Sequence, residues 1–573
     1  MLASMVTSTP VERHQRKSLG AFYSPQSLVE PMVAWAVTRA DQSVLDPSCG
    51  DGIFLETAAR RLMSLGASPK RAASLLHAVD LNPDAAWVTR ERLTSALDSP
   101  FSNIQVDSFF SLPPPGVLFG PREGVDAVIG NPPYIRYQEF AGGARLEALE
   151  RAAHAGVQLT RLASSWAHFV AHAAAFVRPG GRLALILPAE LIHTTYAAPL
   201  RQYLRHSFRE VYVVSFRQAV FPGVQEEVVL LLAAGMERGP GLLGLAEAGT
   251  GSELADLNAI LTDAEIFAPG EDPAKWIPGY AAHPGAVTLG HFQERGLLGM
   301  LGDIGKANIG FVSGANQYFV LTPDEVSHWH LPESSLQPAL IRARQIPGLQ
   351  ITAQDISLVR SQGERCLLWT PADRLTKAER AYIRRGEELG YAERYKCRVR
   401  SPWYRVPGVA IPDAFLTYMS DVVPRLCLNR ARVVSSNTLL NIRLPQIPAV
   451  LRKAFVTAFY NSATLLSCER VGRSYGGGVL KLEPREADRL LVPAVDLVSR
   501  YQRPLEKLTP IVDAALRNGR EGCLDKVVAA VDAILFEGDK VAREEMASAR
   551  TSLHKRRQAR SRPNRSQKSK HGS

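Results

Sequence analysis

Cysteine is scarce in this chain. The six present, Cys49, Cys366, Cys397, Cys427, Cys468 and Cys523, form no CxxC pair and no Cys/His cluster at zinc spacing. That excludes a disulfide framework and argues against a structural metal; we expect reduced, mostly buried thiols and no metal site. Long apolar runs are missing as well. Nothing approaches the ~18 uninterrupted apolar residues of a membrane span, and the N-terminal MLASMVTSTPVERHQRK has no apolar core of a secretory signal. The expected compartment is the cytoplasm, with no membrane partner. There is no internal repeat. Excess charge is also slight once the C-terminus is set aside: the formal net charge is +11, but residues 550–573 hold nine Lys/Arg and no acid. A segment of that composition is predicted to be disordered. It is either a solvated terminus or an extra grip on phosphates, and a basic pI alone identifies no nucleic-acid partner.

What is present, over the first 240 residues, is alternation. SVLDPS, HAVDL, NIQV, VDAVIGN, GRLALILP, VYVVSF and EEVVLLLAA are continuous apolar runs bounded by turn residues, as buried strands of a mainly parallel sheet are. Between them lie helix-like stretches such as IFLETAARRLMSLG, PDAAWVTRERLTSAL and SWAHFVAHAAAFV. Strand–helix alternation predicts a doubly wound α/β domain over 1–240. A Gly-, Ala- and Pro-rich stretch over 241–294 suggests a linker or entry segment. A mixed, Arg- and aromatic-rich region follows over 295–494, then a helical segment over 495–545 and the basic tail over 546–573.

LDPSCGDGIFL (45–55) places an apolar strand ending at Asp46 before a turn with Gly50 and Gly52. Glycines there let the backbone approach a ligand closely, although structural turns use the same pattern. Asp80 ends the next run, HAVDL, where a carboxylate can accept hydrogen bonds from both ribose hydroxyls of an adenosine. Asp107 ends the third, NIQVD, and can accept from an adenine amino group. One strand-end Asp is commonly a turn or helix cap; three on successive strands of one sheet edge are harder to explain so.

The fourth run, VDAVIG, leads straight into Asn131-Pro132-Pro133-Tyr134. The prolines stiffen the backbone and remove two N–H donors, so the loop can present oxygens without competing amide hydrogens. The Asn131 side-chain oxygen and the Pro132 carbonyl can together accept from an NH2 group whose lone pair is otherwise delocalised. They would favour a pyramidal nitrogen and aim its lone pair at an electrophilic methyl group, helped by alignment and transition-state electrostatics. Tyr134 offers a face for a planar base. A base inside a duplex must be flipped out, at a cost of a few kcal/mol.

In motif order the chain resembles the gamma-class adenine-N6 DNA methyltransferases of bacterial restriction–modification systems. LGAFYSPQSLVEPMVAWAV (19–37) precedes LDPSCGDG, AVDLNP, VDSFF, GNPPY, SSWAHFV and GGRLALILPAELI in the order that family uses. The resemblance implies S-adenosyl-L-methionine as cofactor. Tyr23, Ser24 and Pro25 would lie near its methionine end, Asp46, Ser48 and Gly50 would line it, Asp80 would hold the ribose, and Asp107 with Phe109 would contact its adenine. Phe169 would lie near the cofactor and the catalytic loop. Phe221, in AVFPGVQEEVVLLLA, would stack on the flipped adenine; as a residue alone it also suits a core. IGFVSGANQYFVLT (309–322), YKCRVRSPWYRVP (395–407), PRLCLNRARVVSSNTLLNIRL (424–444) and RSYGGGVLKLEPREADRLLVP (473–493) resemble pieces of the family's target-recognition region. Arg398, Arg400, Trp403, Arg405, Arg430, Arg432 and Asn437 are then candidate contacts to phosphates or base edges of double-stranded DNA, or a solvated basic surface around a buried Trp.

Two alternatives bear on function. Asn-Pro-Pro-Tyr also occurs in methyltransferases of protein glutamine and of RNA, which are typically shorter and lack a large C-terminal region. A fused nuclease is the other; no Asp…Glu-x-Lys metal site stands out, so a cognate restriction endonuclease is expected to be a separate protein. A monomer is the default expectation.

Overall fold

Each of the apolar runs of the N-terminal region becomes a strand, because a Val/Ile/Leu run flanked by turns can bury both faces of a pleated ribbon. The computed structural model describes residues 24–559, except 117–122, 136–138, 141, 162, 219, 222–226, 238, 272–274, 278–283, 476–477 and 520. The chain divides into two units, one reaching residue 281 and the other covering residues 282–559.

In the first unit, α1 (Gln26–Ala36) is followed by β1 (Val44–Asp46), α2 (Ile53–Ser64), β2 (Leu76–Asp80), α3 (Pro83–Leu97), β3 (Ile104–Val106) and β4 (Val125–Gly130). Then come α4 (Gly142–His154), α5 (Ser165–Ala174), β5 (Val177–Pro188), β6 (Phe208–Phe216), β7 (Val228–Met236), β8 (Leu242–Ala248) and β9 (Glu265–Phe267). Local signals place the helix starts: α3 begins where the Asn82 side chain accepts the Asp84 N–H, with Pro83 at the first helical position, which needs no N–H there. Among the described residues one sheet runs β3-β2-β1-β4-β5-β7-β6-β8-β9. Strands β3 to β5 are parallel; β7 is antiparallel to β5 and β6, β8 is parallel to β6, and β9 is antiparallel to β8. This is the mainly parallel α/β sheet expected from the alternation.

The strand order positions the site. The chain moves outward from β1 to β2 and β3, then returns to β1's other side as β4. Connections therefore leave β1 and β4 in opposite directions, the switch point at whose carboxyl ends sheets of this kind receive ligands.

Residues 242–248 and 265–267 are strands of this sheet, although their region has the texture of a connecting segment. The glycine there is a packing requirement. Gly244 pairs with Tyr212 across β6 and β8, and a Cβ on it would lie 2.3 Å from the Tyr212 ring.

The second unit is mixed α+β. Strands β10 (Lys306–Ile309), β11 (Gln350–Ile351), β12 (Ala414–Thr417), β13 (Leu426–Asn429) and β14 (Leu439–Arg443) form a sheet ordered β10-β14-β12-β13-β11. Helices α6 (Arg452–Ala458), α7 (Ser462–Val471), α8 (Gln502–Asn518), α9 (Glu521–Leu535) and α10 (Lys540–Ala559) share its Leu- and Val-rich core.

Helix α10 corrects one expectation. Residues 546–559, assigned by composition to a disordered tail, continue this helix; residues 560–573 lie outside the described ones. Arg557 is buried and clasps Glu469 on α7, with Nε at 3.0 Å and Nη2 at 2.7 Å. It also donates to the carbonyls of Asp421 and Gly478. Composition missed this because a buried cation is invisible until its acid partner is placed 88 residues away. Burial alone would raise the Glu469 carboxyl, but hydrogen bonds from His554 and Arg557 outweigh it and hold the group below its ordinary value. Arg557→Met would strand that carboxylate, so we expect a loss of about 3–5 kcal/mol. Denaturant unfolding of the full chain measures it; an unchanged midpoint would mean that α10 is not docked.

Among the described residues, no helix is long and apolar enough to cross a membrane, and no group of three or more His, Cys, Asp or Glu side chains is placed to hold a metal ion. All six thiols are free, and five are buried.

Candidate active site

Asp46 is the last residue of β1 and is 1% exposed. Its Oδ1 accepts the Ser48 N–H at 3.1 Å. Burial pushes its carboxyl up to about 8, against the Ser48 hydrogen bond and with help from the charges of Asp80 and Asp51. Among the described residues it has no cationic partner. On the next strand Asp80 receives the Gly50 N–H on Oδ2 and the Asn82 N–H on Oδ1, both at 2.8 Å. The turn after β1 is thus tied to the end of β2. Asp51, in that turn, is bound by Arg92 of α3 at 3.0 Å and anchors the loop. Asp107 follows β3 and is exposed, with its N–H on the Asp80 carbonyl at 3.0 Å. Three carboxylates therefore stand on adjacent strands at one sheet edge.

The loop after β4 comes down beside them. Gly130, at φ +152°, turns the chain where a Cβ would lie 2.7 Å from Asp46 Oδ1, so only glycine fits. The Asn131 amide is oriented from both ends: Nδ2 donates to Ser24 Oγ at 3.2 Å, and the Tyr134 hydroxyl lies 2.6 Å from Oδ1. The same hydroxyl is 3.0 Å from the Ile186 carbonyl of β5, so its one proton serves one acceptor at a time. Ser48 Oγ meets the Asn131 carbonyl at 3.4 Å. Ser24 and Pro25 stand at the start of α1, where Pro25 caps the helix by accepting the Leu28 N–H at 2.9 Å. Tyr23 lies outside the described residues. Pro132 is buried and Tyr134 is 8% exposed.

Phe109 and Phe169 meet at 4.9 Å between ring centroids, which joins the turn after β3 to α5. Phe221 is 6% exposed within the same core, and residues 222–226 that follow it lie outside the described ones.

Ser165 escapes sequence reasoning. A serine before a helical run looks like a cap, but Ser165 is the first residue of α5 and serves the loop instead. Its Oγ accepts the Ile135 N–H at 2.9 Å and donates to the Pro133 carbonyl at 2.7 Å. Ser165→Ala leaves two loop groups unpaired, a cost of ~1–3 kcal/mol. We expect turnover to fall about tenfold through the loosened loop. Steady-state kinetics checks this, and an unaltered kcat would show that the loop holds itself.

Residues 11–237 match the family N-6 DNA Methylase, and residues 274–536 match the C-terminal domain of Type II methyltransferase M.Eco57I. The chain thus carries an N6-adenine DNA methylase domain followed by a C-terminal domain of the Type II methyltransferase M.Eco57I family. Type II methyltransferase M.XamI of Xanthomonas campestris pv. amaranthicola is 24% identical over 497 residues, 84% of this chain and 86% of that protein. Type II methyltransferase M.TthHB8I of Thermus thermophilus is 27% identical over 223 residues, 38% of this chain and 45% of that protein. Among solved structures, the ATP-dependent Type ISP restriction-modification enzyme LlaBIII bound to DNA has a TM-score of 0.53 at 13% identity. It covers 88% of this chain and 40% of that one, a likeness of fold.

In the second unit of the methyltransferase, the candidate DNA contacts separate by surroundings. Arg398, Arg430, Arg432 and Asn437 are exposed; Arg432 stands at φ +54° in the turn after β13. Arg400 instead points inward and donates to the carbonyls of Ser313 and Val312 at 2.9 and 2.5 Å. Trp403 packs on Tyr318 at 5.4 Å and donates to Glu387 at 3.1 Å. Arg405 pairs with Asp373. The Asn437 N–H donates to the Phe311 carbonyl at 3.0 Å, so Arg400 and Asn437, far apart in sequence, hold one loop at 311–313.

Proposed function

We propose that this methyltransferase takes its methyl group from S-adenosyl-L-methionine and places it on N6 of an adenine flipped out of double-stranded DNA at a specific sequence. The buried Asp46 carries the fit to that donor: an acid held protonated by burial, with no cation beside it among the described residues, is one that an arriving cation ionises. When bound, the donor supplies an electrophilic methyl group on a positively charged sulfur. Asp46, with Ser24, Pro25, Ser48, Gly50 and the neighbouring Tyr23, receives its charged amino-acid end. Asp80 receives the ribose hydroxyls, and Asp107, Phe109 and Phe169 receive the adenine.

Asn131 and Pro132 do the remaining work. With its amide fixed by Ser24 and Tyr134, Asn131 accepts one N6 proton on Oδ1 while the Pro132 carbonyl accepts the other. The nitrogen lone pair is thereby released toward the methyl group. Both contacts strengthen as positive charge develops on N6, which is what lowers the barrier. A neutral amide cannot keep the proton, which leaves to water. Tyr134 and Phe221 offer aromatic faces that offset part of the unstacking cost. Pro133, held by Ser165, stiffens the loop.

The second unit serves as the target-recognition domain, with Arg398, Arg430, Arg432 and Asn437 the foremost contacts and Arg400, Trp403 and Arg405 shaping the surface that carries them. The names of the relatives support a modification enzyme of a restriction–modification system. It would act in the cytoplasm as a monomer, beside a separately encoded endonuclease.

The observation that carries this reading is the doubly tethered Asn131 amide at the switch point, next to a buried acid. Incubation with labelled S-adenosyl-L-methionine and, in parallel, DNA, RNA and protein tests it. Label should enter DNA alone, and sequencing of DNA from expressing cells should find N6-methyladenine at one motif. Label in RNA or protein without label in DNA would overturn it.

A further inference from the structure

The turn after β3 is gripped from outside. Residues Phe109–Ser111 form a single 3-10 turn two residues beyond Asp107, in which the Leu112 N–H closes on the Phe109 carbonyl at 3.3 Å but one turn is too short to pair every carbonyl well. Side chains from two helices reach in to do so. His172 of α5 sets Nε2 3.1 Å from the Phe109 carbonyl. Arg151 of α4 donates Nε to the Phe110 carbonyl at 2.7 Å and Nη2 to the Ser111 carbonyl at 3.2 Å.

Because its partner is a carbonyl, His172 Nε2 carries the proton. The imidazole is neutral across the working range. Burial lowers its pKa to about 4, assisted by the nearby Arg151 charge and opposed by the bond to Phe109. The ring packs 4.6 Å from Phe109 and 5.1 Å from Phe176, centroid to centroid. An apolar side chain could fill that space at no desolvation cost. Directional donors are needed only where the shape of the turn matters. The turn lies at the carboxyl end of a parallel strand beside Asp80 and Asp107, where such sheets receive ligands, and a Phe face next to a carboxylate suits a purine nucleoside.

We propose that His172 and Arg151 are positioning residues that preset the Phe109–Ser111 turn to receive the adenosine end of the methyl donor, which rests on the donor reading above. A turn ordered in advance spares the ligand the cost of ordering it, so loosening the clamp lowers donor affinity and leaves the transfer step intact. Ser165, seven residues before His172 on α5, holds the catalytic loop instead. Two turns of one helix thus separate a residue that acts on turnover from one that acts on affinity.

Titration calorimetry of the full chain with S-adenosylhomocysteine, the demethylated donor, tests this. His172→Phe keeps a ring and removes the N–H; His172→Gln keeps a donor and removes the ring; Arg151→Met, on a half-exposed helix position, removes the other two bonds. The Phe and Met variants should bind about tenfold more weakly and the Gln variant within about threefold of the parent. All three should keep the parent's kcat at saturating donor and its KM for DNA. Ser165→Ala should do the reverse, with normal affinity and reduced kcat. Parent-like affinity in both His172→Phe and Arg151→Met would overturn the proposal. So would equal losses in the Phe and Gln variants accompanied by a lowered thermal midpoint, because that is the signature of packing alone. If the parent itself fails to bind S-adenosylhomocysteine, the donor reading falls first.

Discussion

Asn131→Ala should lower the turnover of N6 methylation about a thousandfold or more, in line with removal of a preorganised transition-state contact, while changing donor affinity little. The substitution deletes Oδ1, the atom the mechanism asks to accept an N6 proton, and both tethers that aim it, at 3.2 Å to Ser24 and 2.6 Å to Tyr134. It leaves Asp46, Asp80 and the turn at Gly50 on other strands in place. Asn131→Asp separates the acceptor role from the amide as such. A carboxylate keeps an acceptor oxygen but gives up the N–H toward Ser24, so it should retain more activity than alanine. Single-turnover methylation with saturating donor and DNA measures both. An alanine variant of near-parental rate would sink the mechanism, and an aspartate variant as dead as alanine would show that geometry, not acceptance, is what Asn131 contributes.

Asp46→Asn should separate stability from binding. The folded-state value of about 8 lies above the ordinary carboxylate value of 3.8, so the native state binds a proton that the unfolded chain releases. Stability of the ligand-free parent therefore falls as pH rises from about 4 to about 8, by about 6 kcal/mol at most, and levels off above. An asparagine does not ionise and still offers an oxygen to the Ser48 N–H, so the variant should lose that slope and be the more stable protein at pH 9. Donor affinity should move the other way. The parent should bind S-adenosylhomocysteine more tightly as pH rises toward 8, because the ligand's ammonium group wants the carboxylate. The variant should bind about tenfold or more weakly, the scale of a lost charge-assisted hydrogen bond. Denaturant midpoints and calorimetry at pH 6, 7.5 and 9 supply both halves. Parallel stability profiles for the two proteins would place the Asp46 carboxyl in water rather than in the core. Such a site keeps a residue that weakens the empty fold because the ligand needs it.

Much of this was legible from the chain alone, for a common reason. The apolar runs, their turn residues and the strand ends at Asp46, Asp80 and Gly130 are local: each depends on a few neighbours, and hydrophobic period and turn chemistry report them directly. The motif order that marks the methyltransferase is linear as well. What stayed hidden depends on pairs distant in sequence. Residues 242–248 hold their place in the sheet because Gly244 makes room for the Tyr212 ring. Residues 546–559 are helical because Arg557 finds Glu469. Ser165 holds Pro133, and His172 and Arg151 hold the turn after Asp107, across 32 to 63 residues of chain. Arg400 and Trp403 look in sequence like Arg398, and only packing divides those turned inward from the one left to solvent. Sequence by itself determined which groups stand at the ends of which strands. Tertiary structure alone decided how each is aimed, how far its proton is shifted and what holds its loop, because hydrogen bonds and desolvation depend on neighbours that chain order does not name.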